Sequence, residues 1–304
     1  MGASLNISEL NGAGAVRRTL SDIMAADPSV VVLGEAVGRL GGVHRTTQGL
    51  LAQFGADRVI DTPLSEAGAV GLAVGLALGG KRPVVCLSSA DRAWAAADQL
   101  VRELGRVKGE FAAPVVLRLP VSPAADAIDP TAQTGVEGLL AASGLTVAAP
   151  ATPGDAAGLL RSALSARGPV ALLEPVALYA ERGAVDDVAV PFGHPRVARA
   201  GDHLTVLAWG AGVAAAEAGA AIAAEEGLSA EVIDLRTLSP LNLKALAAAV
   251  RRTGRALVVG EGPFAENLLA AVTRAAFLHL ESPPAAATAD PERIAAAIAE
   301  SVWY

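Results

Sequence analysis

Short apolar runs recur along the first part of the chain, separated mostly by segments long enough for a helix. The first run, at 29–34, is rich in β-branched residues and is predicted to be a strand. Runs of the same kind follow near 58–61, 82–88, 114–119, 145–149 and 169–174. Buried strands that alternate with helices predict a mainly parallel, doubly wound α/β sheet.

The pattern changes between residues 180 and 203, a polar stretch with Pro and Gly residues that is predicted to be a linker. Beyond it, three apolar runs alternate with helical segments before a final pair of helices. These runs span 204–209, 230–235 and 256–259. The sequence therefore predicts two α/β domains, residues 1–186 and residues 187–304, each built on its own doubly wound, mostly parallel sheet.

One acid stands at the head of the longest uncharged stretch. Pro63 disfavours helix at the residue before it, and Ser65 is a good N-cap, so a helix is predicted to begin at Glu66. The simplest interpretation of Glu66 is a first-turn acid favoured by the helix dipole. Burial beside a featureless apolar helix weakens that interpretation and leaves a functional acid as the alternative.

The helix that follows Glu66 is predicted to be buried in a soluble protein. The run 67–80 would rise only about 20 Å as a helix, less than the roughly 30 Å of a bilayer's hydrocarbon core. Gly71, Gly75 and Gly79 recur every fourth residue. One face of the helix therefore lacks side chains, and another backbone can approach it closely.

The amino-acid composition favours an α/β protein that does not bind nucleic acid. Hydrophobic residues make up 52% of the 304 residues but aromatics only 3%, as in parallel sheets covered by Ala-rich helices. The net charge of −7 is spread out without a basic stripe, which argues against nucleic acid as a partner. Cys86 is the one cysteine, so no internal disulfide forms, and the N-terminus lacks a secretion signal. A cytoplasmic location is expected.

The sequence lacks the motifs of several common enzyme classes and of metal sites. The four histidines are not spaced with other ligands as metal sites require, and no G-x-S-x-G, Walker or dinucleotide motif occurs. Candidate chemistry lies instead at the carboxyl ends of the predicted strands, where doubly wound sheets bind ligands. Those ends carry Glu35, the turn at 61–66, residues 88–91 and the long loop 120–135. A loop of this length without regular structure is usually either functional or disordered, and the functional interpretation is favoured here at about even odds.

The order of these segments resembles the beta subunits of thiamine-diphosphate-dependent 2-oxo acid dehydrogenases, which belong to the transketolase-like group. The resemblance covers nearly the whole chain. The blocks that carry it include Leu33-Gly34-Glu35, Arg58-Val59-Ile60-Asp61-Thr62-Pro63-Leu64-Ser65-Glu66-Ala67-Gly68, Arg82-Pro83-Val84, Asp98-Gln99, Leu173-Glu174-Pro175 and Val232-Ile233-Asp234-Leu235-Arg236-Thr237-Leu238-Ser239-Pro240. It implies a transketolase-like pyrimidine-binding domain followed by a transketolase C-terminal domain.

The resemblance implies a role for Glu66 in thiamine diphosphate activation. The glutamate at this position in the family hydrogen-bonds the pyrimidine nitrogen and promotes the tautomer that deprotonates the thiazolium carbon. Leu64, Glu35 and Arg92 are expected around the same cofactor. No Gly-Asp-Gly occurs in the chain. The diphosphate and Mg²⁺ are therefore expected on an alpha-type subunit that carries this motif, in an α2β2 heterotetramer, and the chain alone is expected to be inert.

The chain departs from the family pattern at two site positions. Arg92 occupies the place of an aromatic residue, and Thr131 that of a histidine, although Gln133 is kept. A threonine cannot shuttle protons at neutral pH as an imidazole can. Thr131, Gln133 and Asp91 are expected to contact substrate. The segment of about twenty residues that precedes the last helix in the family is also missing.

Three functions stay open at this point. The first is decarboxylation of a 2-oxo acid with transfer of the activated aldehyde or acyl unit. The second is carboligation to another carbonyl compound, and the third is a catalytically silent beta subunit that stabilises its partner. The resemblance further suggests dimer contacts and docking to an acyltransferase core through the second domain, and a potassium ion held by carbonyls at 163–168.

Overall fold

The computed structural model describes residues 7–105, 113–123, 126, 127 and 129–304. The chain divides into two compact units, Met1–Phe192 and Gly193–Tyr304, so that the division falls six residues beyond the boundary expected at 186/187. Both units are α/β, as the alternation of apolar runs predicted. In the described part of the chain, no helix is long and apolar enough to cross a membrane.

Unit 1 alternates strands with helices. Its strands are β1 (Ser8–Asn11), β2 (Val30–Glu35), β3 (Val59–Thr62), β4 (Arg82–Cys86), β5 (Val116–Val121), β6 (Thr146–Ala148), β7 (Val170–Pro175) and β8 (Arg182–Val185). Its α-helices are α1 (Gly12–Ala26), α2 (Leu50–Phe54), α3 (Glu66–Leu78), α4 (Pro130–Thr134), α5 (Val136–Ala142) and α6 (Pro153–Ser165). A 3₁₀ helix, Asp91–Ala96, and a π-helix, Gln99–Leu104, follow β4, and a 3₁₀ turn, Ala177–Tyr179, follows β7.

The strands β2 to β7 form one parallel sheet in the order β6-β7-β5-β4-β2-β3. The chain passes from β2 to β3 on one side and then returns to β4 on the other side of β2. This reversal creates a crevice at the carboxyl ends of β2 and β4, which is where ligands bind in sheets of this kind. The predicted parallel, doubly wound sheet is confirmed.

Helices cover both faces of this sheet. Successive residues of β2, from Val30 to Leu33, are all buried although their side chains alternate between the two faces. On one face, α1 and α6 pack together and contribute Leu20 and Leu160 to the core. The helix α3 packs against β2 and β4. Continuous burial of this kind explains why the strands consist of unbroken apolar runs.

A part of the predicted linker is a strand. Residues 182–185 form β8, which pairs antiparallel with β1, with Leu10 opposite Gly183. Polar side chains hid this pairing in the sequence, because the pair has alternating burial instead of an apolar run. The start of the chain and the end of unit 1 are thus joined by main-chain hydrogen bonds.

Unit 2 is a smaller α/β layer structure. Its strands are β9 (Arg196–Arg199), β10 (Leu204–Ala208), β11 (Ala230–Asp234), β12 (Thr237–Ser239), β13 (Ala256–Val259) and β14 (Ala285–Ala287). Five of these form a sheet in the order β14-β13-β10-β11-β9, in which only β9 runs antiparallel. Its helices are α7 (Gly212–Glu225), α8 (Leu243–Thr253), α9 (Gly262–Ala276) and α10 (Pro291–Trp303).

A buried ion pair ties β5 to β7 beneath the crevice of unit 1. The guanidinium of Arg118 donates to both carboxylate oxygens of Glu174, at 2.8 and 2.6 Å. The hydroxyl of Tyr179 donates to the same carboxylate at 2.6 Å. Burial alone lowers the pKa of Arg118, but the Glu174 carboxylate outweighs it and raises this pKa well above the ordinary value. Arg118 is therefore a fixed cation below the crevice.

We expect Glu174→Gln to destabilise the protein by about 3–5 kcal/mol, because it leaves the Arg118 cation buried without its counterion. Chemical unfolding followed by circular dichroism measures this. As a control, Glu9→Gln breaks an ion pair with Arg182 whose side chains are 69% and 66% exposed. That change should cost less than about 1 kcal/mol. Equal losses in the two variants would contradict the structural role of the buried pair.

Candidate active site

The acid predicted from the sequence lies at the first turn of α3. The hydroxyl of Ser65 accepts a hydrogen bond from the backbone N–H of Gly68, which confirms Ser65 as the N-cap. The helix begins at Glu66, and this side chain is buried, with 8% of its surface exposed. A carboxylate at a helix N-terminus is stabilised by the helix dipole. The same helix carries no other charged residue.

Glu66 faces a small cavity at the carboxyl ends of β2, β3 and β4. The lining includes Glu35 from the end of β2, Leu64 from the turn after β3, and Ser88 from the segment after β4. Leu64 is 53% exposed. The hydroxyl oxygen of Ser88 is buried and has no hydrogen-bond partner among the described residues. The structure thus brings together three residues expected near a cofactor, and adds a free hydroxyl.

Arg92 forms an ion pair with Glu66. Nη1 of Arg92 donates to Oε1 of Glu66 at 3.2 Å, and the two side chains are 32% and 9% exposed. Arg92 lies in the 3₁₀ helix Asp91–Ala96, which packs against α3. Its Nε is buried without a partner in the described structure. The position at which the resemblance implies an aromatic residue therefore holds a cation that is hydrogen-bonded to the acid.

Asp91 and Gln133 are engaged in local structure. The carboxylate of Asp91 accepts hydrogen bonds from the hydroxyl of Ser89 and, at 3.2 Å, from the backbone N–H of Asp129. The amide of Gln133 both accepts from and donates to the main chain of Ser122, at 3.1 and 2.6 Å. These bonds fix the described parts of the long loop, so both side chains hold the loop in position.

Thr131 is exposed on the short helix α4. This helix packs against the 3₁₀ helix that carries Arg92, and the indole N–H of Trp94 donates to the carbonyl of Ala132 at 2.8 Å. The part of the loop expected to be functional therefore lies beside Arg92. The contacts of Thr131, Gln133 and Asp91 with substrate stay predictions.

A second cavity adjoins the first and contains His44, which was not predicted as a site residue. His44 lines it together with Arg118 and Tyr179, and its ring lies 5.1 Å from the ring of Tyr179 between centroids. Glu35 and Ser88 line both cavities. The second cavity has a volume of about 20 Å³, which is enough for one ordered water. His44 was hidden because its neighbours are distant in sequence.

The charges below the second cavity set the ionisation of two of its side chains. Burial lowers the pKa of His44, the Arg118 cation lowers it further, and Glu174 partly opposes them. The imidazole is therefore neutral at neutral pH. Burial also raises the pKa of the Cys86 thiol, so this cysteine stays protonated, as an inert thiol should.

Comparisons with known families identify the class of protein to which the two α/β units belong, which is the transketolase class. The family described as "Transketolase, pyrimidine binding domain" matches residues 8–181. The family described as "Transketolase, C-terminal domain" matches residues 193–302. A solved structure described as a split-gene transketolase, inactive beta4 tetramer, matches 97% of this chain and 99% of its own with a TM-score of 0.79. At 18% sequence identity, this last match supports the fold alone.

Curated relatives are similar over most of their length. Pyruvate dehydrogenase E1 component subunit beta of Leifsonia xyli subsp. xyli is 38% identical, over 88% of this chain and 83% of its own. For 3-methyl-2-oxobutanoate dehydrogenase subunit beta of Mycobacterium tuberculosis the identity is 41%, over 88% of this chain and 80% of that protein. For pyruvate dehydrogenase E1 component subunit beta of Bacillus subtilis the identity is 37%, over 95% of this chain and 92% of that protein. The chain therefore belongs to the transketolase family, among the beta subunits of 2-oxo acid dehydrogenases, and the resemblance found in the sequence is confirmed.

We expect the imidazole of His44 to titrate below the ordinary histidine value of about 6.5. Because the folded state then binds fewer protons than the unfolded state, the free energy of unfolding should fall as pH drops through about 6.5. Histidine NMR titration measures the first effect, and denaturant unfolding between pH 7 and pH 5 the second. His44→Phe, which keeps an aromatic ring beside Tyr179, should reduce the pH dependence of stability. A His44 midpoint at or above 6.5 would contradict this account.

Proposed function

We propose that this chain is the beta-type subunit of a two-chain, thiamine-diphosphate-dependent enzyme that decarboxylates a 2-oxo acid and transfers the activated aldehyde or acyl unit. The observation that carries the proposal is the burial of Glu66 at the head of α3, in a cavity at the topological switch point of the sheet. The names of the relatives, which cover pyruvate and branched-chain substrates, support a 2-oxo acid as the substrate class.

The residues around Glu66 fit the pyrimidine end of thiamine diphosphate. Leu64 offers an exposed apolar surface for a ring, and the unpartnered hydroxyl of Ser88 offers a polar contact. When bound, the cofactor supplies a carbon nucleophile for the 2-oxo acid. Glu66 would hold a proton between its carboxylate and a ring nitrogen, because a half-dry site favours a shared proton over a separated charge. Glu35 lies on the wall of the same cavity.

The outer face of α3 supports a partner subunit. Leu72 and Leu78 are 44% and 59% exposed, and a Cβ added at Gly75 would meet nothing within 4 Å. Leu64, beside the site, is exposed as well, and exposed apolar surface of this kind marks interaction sites. We propose that it packs on an alpha-type subunit that carries Gly-Asp-Gly and holds the diphosphate and Mg²⁺, in an α2β2 heterotetramer. Docking to an acyltransferase core and a cytoplasmic location stay predictions.

Potassium is not part of the proposed function. The expected carbonyl cluster at 163–168 already has a donor, because Nη1 of Arg82 donates to the carbonyls of Leu164 and Ala166 at 2.7 and 3.3 Å. A cation at the same oxygens would lie against the guanidinium of Arg82. Two of the expected carbonyls are therefore already engaged, and a potassium ion at 163–168 stays a prediction.

The Arg92 ion pair favours one alternative, a catalytically silent beta subunit. Arg92 donates to the same carboxylate that would serve the cofactor, which leaves Glu66 with a competing partner. In a silent subunit this pair would simply neutralise a buried charge. Binding of thiamine diphosphate to the chain copurified with its partner separates the alternatives, because a silent subunit needs no such binding.

We expect Glu66→Gln to reduce turnover of a 2-oxo acid roughly 10²–10⁴-fold in the complex with the partner, since an amide cannot hold the shared proton. Reduction of dichlorophenolindophenol with a panel of 2-oxo acids measures the rate, and circular dichroism checks the fold. The chain without its partner should show no turnover.

Glu225→Gln is the matched control, because Glu225 is an exposed glutamate at the end of a different helix, α7. It should keep the wild-type rate. Full turnover by the Glu66→Gln complex, or unaided turnover by the solitary chain, would sink the proposal.

A further inference from the structure

The guanidinium of Arg92 has hydrogen-bond donors that its contact with Glu66 does not use. Of its N–H groups, one at Nη1 contacts Glu66 at 3.2 Å, whereas Nε is buried and has no partner among the described residues. Guanidinium groups bind carboxylates and phosphates most strongly through two parallel hydrogen bonds. The single contact with Glu66 leaves this capacity unused. A buried donor without a partner points to a missing acceptor.

The nearby acids do not supply that acceptor. Asp91 accepts from Ser89 and from the backbone of Asp129. Asp129 caps α4 through the backbone N–H of Ala132 at 3.0 Å. Among the described residues, Glu66 is the carboxylate with which Arg92 forms an ion pair. No described residue accepts from Nε of Arg92, so this N–H is open to an acceptor from a bound ligand.

The proposed function places two demands on Glu66 that conflict. Nη1 of Arg92 already donates to Oε1 of Glu66, whereas the proposed function requires the same carboxyl group to hydrogen-bond a ring nitrogen of the cofactor. The conflict is removed if Arg92 moves to bind another anion. A ligand that accepts hydrogen bonds from Arg92 would then also break the contact between Arg92 and Glu66.

We propose that Arg92 is the specificity residue of this site and that it binds an anionic group, a carboxylate or a phosphate, which the substrate keeps throughout the reaction. This inference rests on the proposed function and names its substrate class: either a 2-oxo acid with a second carboxylate, or an acceptor with a phosphate. Binding of that group draws Arg92 off Glu66 and leaves the acid to the cofactor.

The anion cannot be the carboxylate that departs as CO₂. A cation paired with that group would stabilise the ground state, and the attraction would weaken as the negative charge leaves the carboxylate in the transition state. A distal anion keeps its charge, so Arg92 stabilises ground state and transition state alike. The role of Arg92 is therefore to select and position the substrate.

The first test needs no turnover. Glutarate is titrated by calorimetry into the full-length chain and three variants: Glu66→Gln, Arg92→Gln and the double variant. Glu66→Gln frees Arg92, so it should bind glutarate roughly ten- to a hundredfold more tightly than the wild type. The gain should vanish in the double variant. Equal binding by Glu66→Gln and the double variant, both of glutarate and of inorganic phosphate titrated in the same way, would overturn the inference, whatever the enzyme's activity.

The second test uses the complex with the partner and distinguishes the two sources of the anion. One arm compares kcat/KM for 2-oxoglutarate and 2-oxovalerate, which differ by a carboxylate in place of a methyl group. The other arm uses 2-oxovalerate as donor and compares glyceraldehyde 3-phosphate with glyceraldehyde as acceptor. We expect a preference of roughly ten- to a hundredfold for the anion in one arm. Arg92→Gln should bring that ratio close to one, and Arg92→Lys should restore part of it.

The ratio separates specificity from folding or cofactor loss, since a general defect cancels between substrates. Arg102→Gln is the control, because Arg102 is a 64% exposed arginine in the neighbouring π-helix. It should keep the wild-type ratio. Turnover of 2-oxovalerate with no anion preference in either arm would overturn the inference and leave the proposed function standing. Turnover of no 2-oxo acid at all would defeat the proposed function, while the calorimetric result still decides the anion site.

Discussion

One buried carboxylate, at the head of a helix that has no other charge, determines how this site is organised. Glu66 is held in place by the N-cap of Ser65 and by the start of α3. A charge in such surroundings needs the helix dipole, a cation or a hydrogen-bonding ligand to compensate for lost hydration. The dipole and Arg92 provide this in the chain as it stands. Any ligand that binds Glu66 therefore has to compete with Arg92.

The topology of the sheet explains why the polar groups meet at this place. Because β3 and β4 lie on either side of β2, the segments that follow three strands converge at one edge. They bring Glu35, Glu66 and Ser88 to the same cavity. Below it, the ion pair of Arg118 with Glu174 ties the neighbouring strands together and influences the ionisation of His44. Structure and electrostatics of the site are thus set by the same strand order.

The features predictable from sequence were those fixed by local chemistry. Capping by Ser65 and the apolar runs of the buried strands depend on neighbours in the chain, so pattern and propensity were sufficient. The pairing of β1 with β8 was missed because its strands are short, polar and distant in sequence. His44 was missed for a related reason, since its surroundings come from Arg118 and Tyr179. The resemblance located Arg92 in the site, but its contact with Glu66 spans 26 residues and required the fold.

An arginine at position 92, where the resemblance implies an aromatic residue, changes the electrostatics of the site more than its shape. An aromatic ring would offer a flat, neutral surface, whereas a guanidinium brings a permanent charge and several donors. That charge lies against the one acid the cofactor would use, so the cofactor and Arg92 compete for the same carboxylate. A protein that only needed to bind the pyrimidine would gain nothing from this coupling. An arginine at this position is useful if it binds a second anion, or is tolerated if Glu66 has no catalytic role. The two cases differ in whether Nε of Arg92 forms a hydrogen bond with a bound ligand.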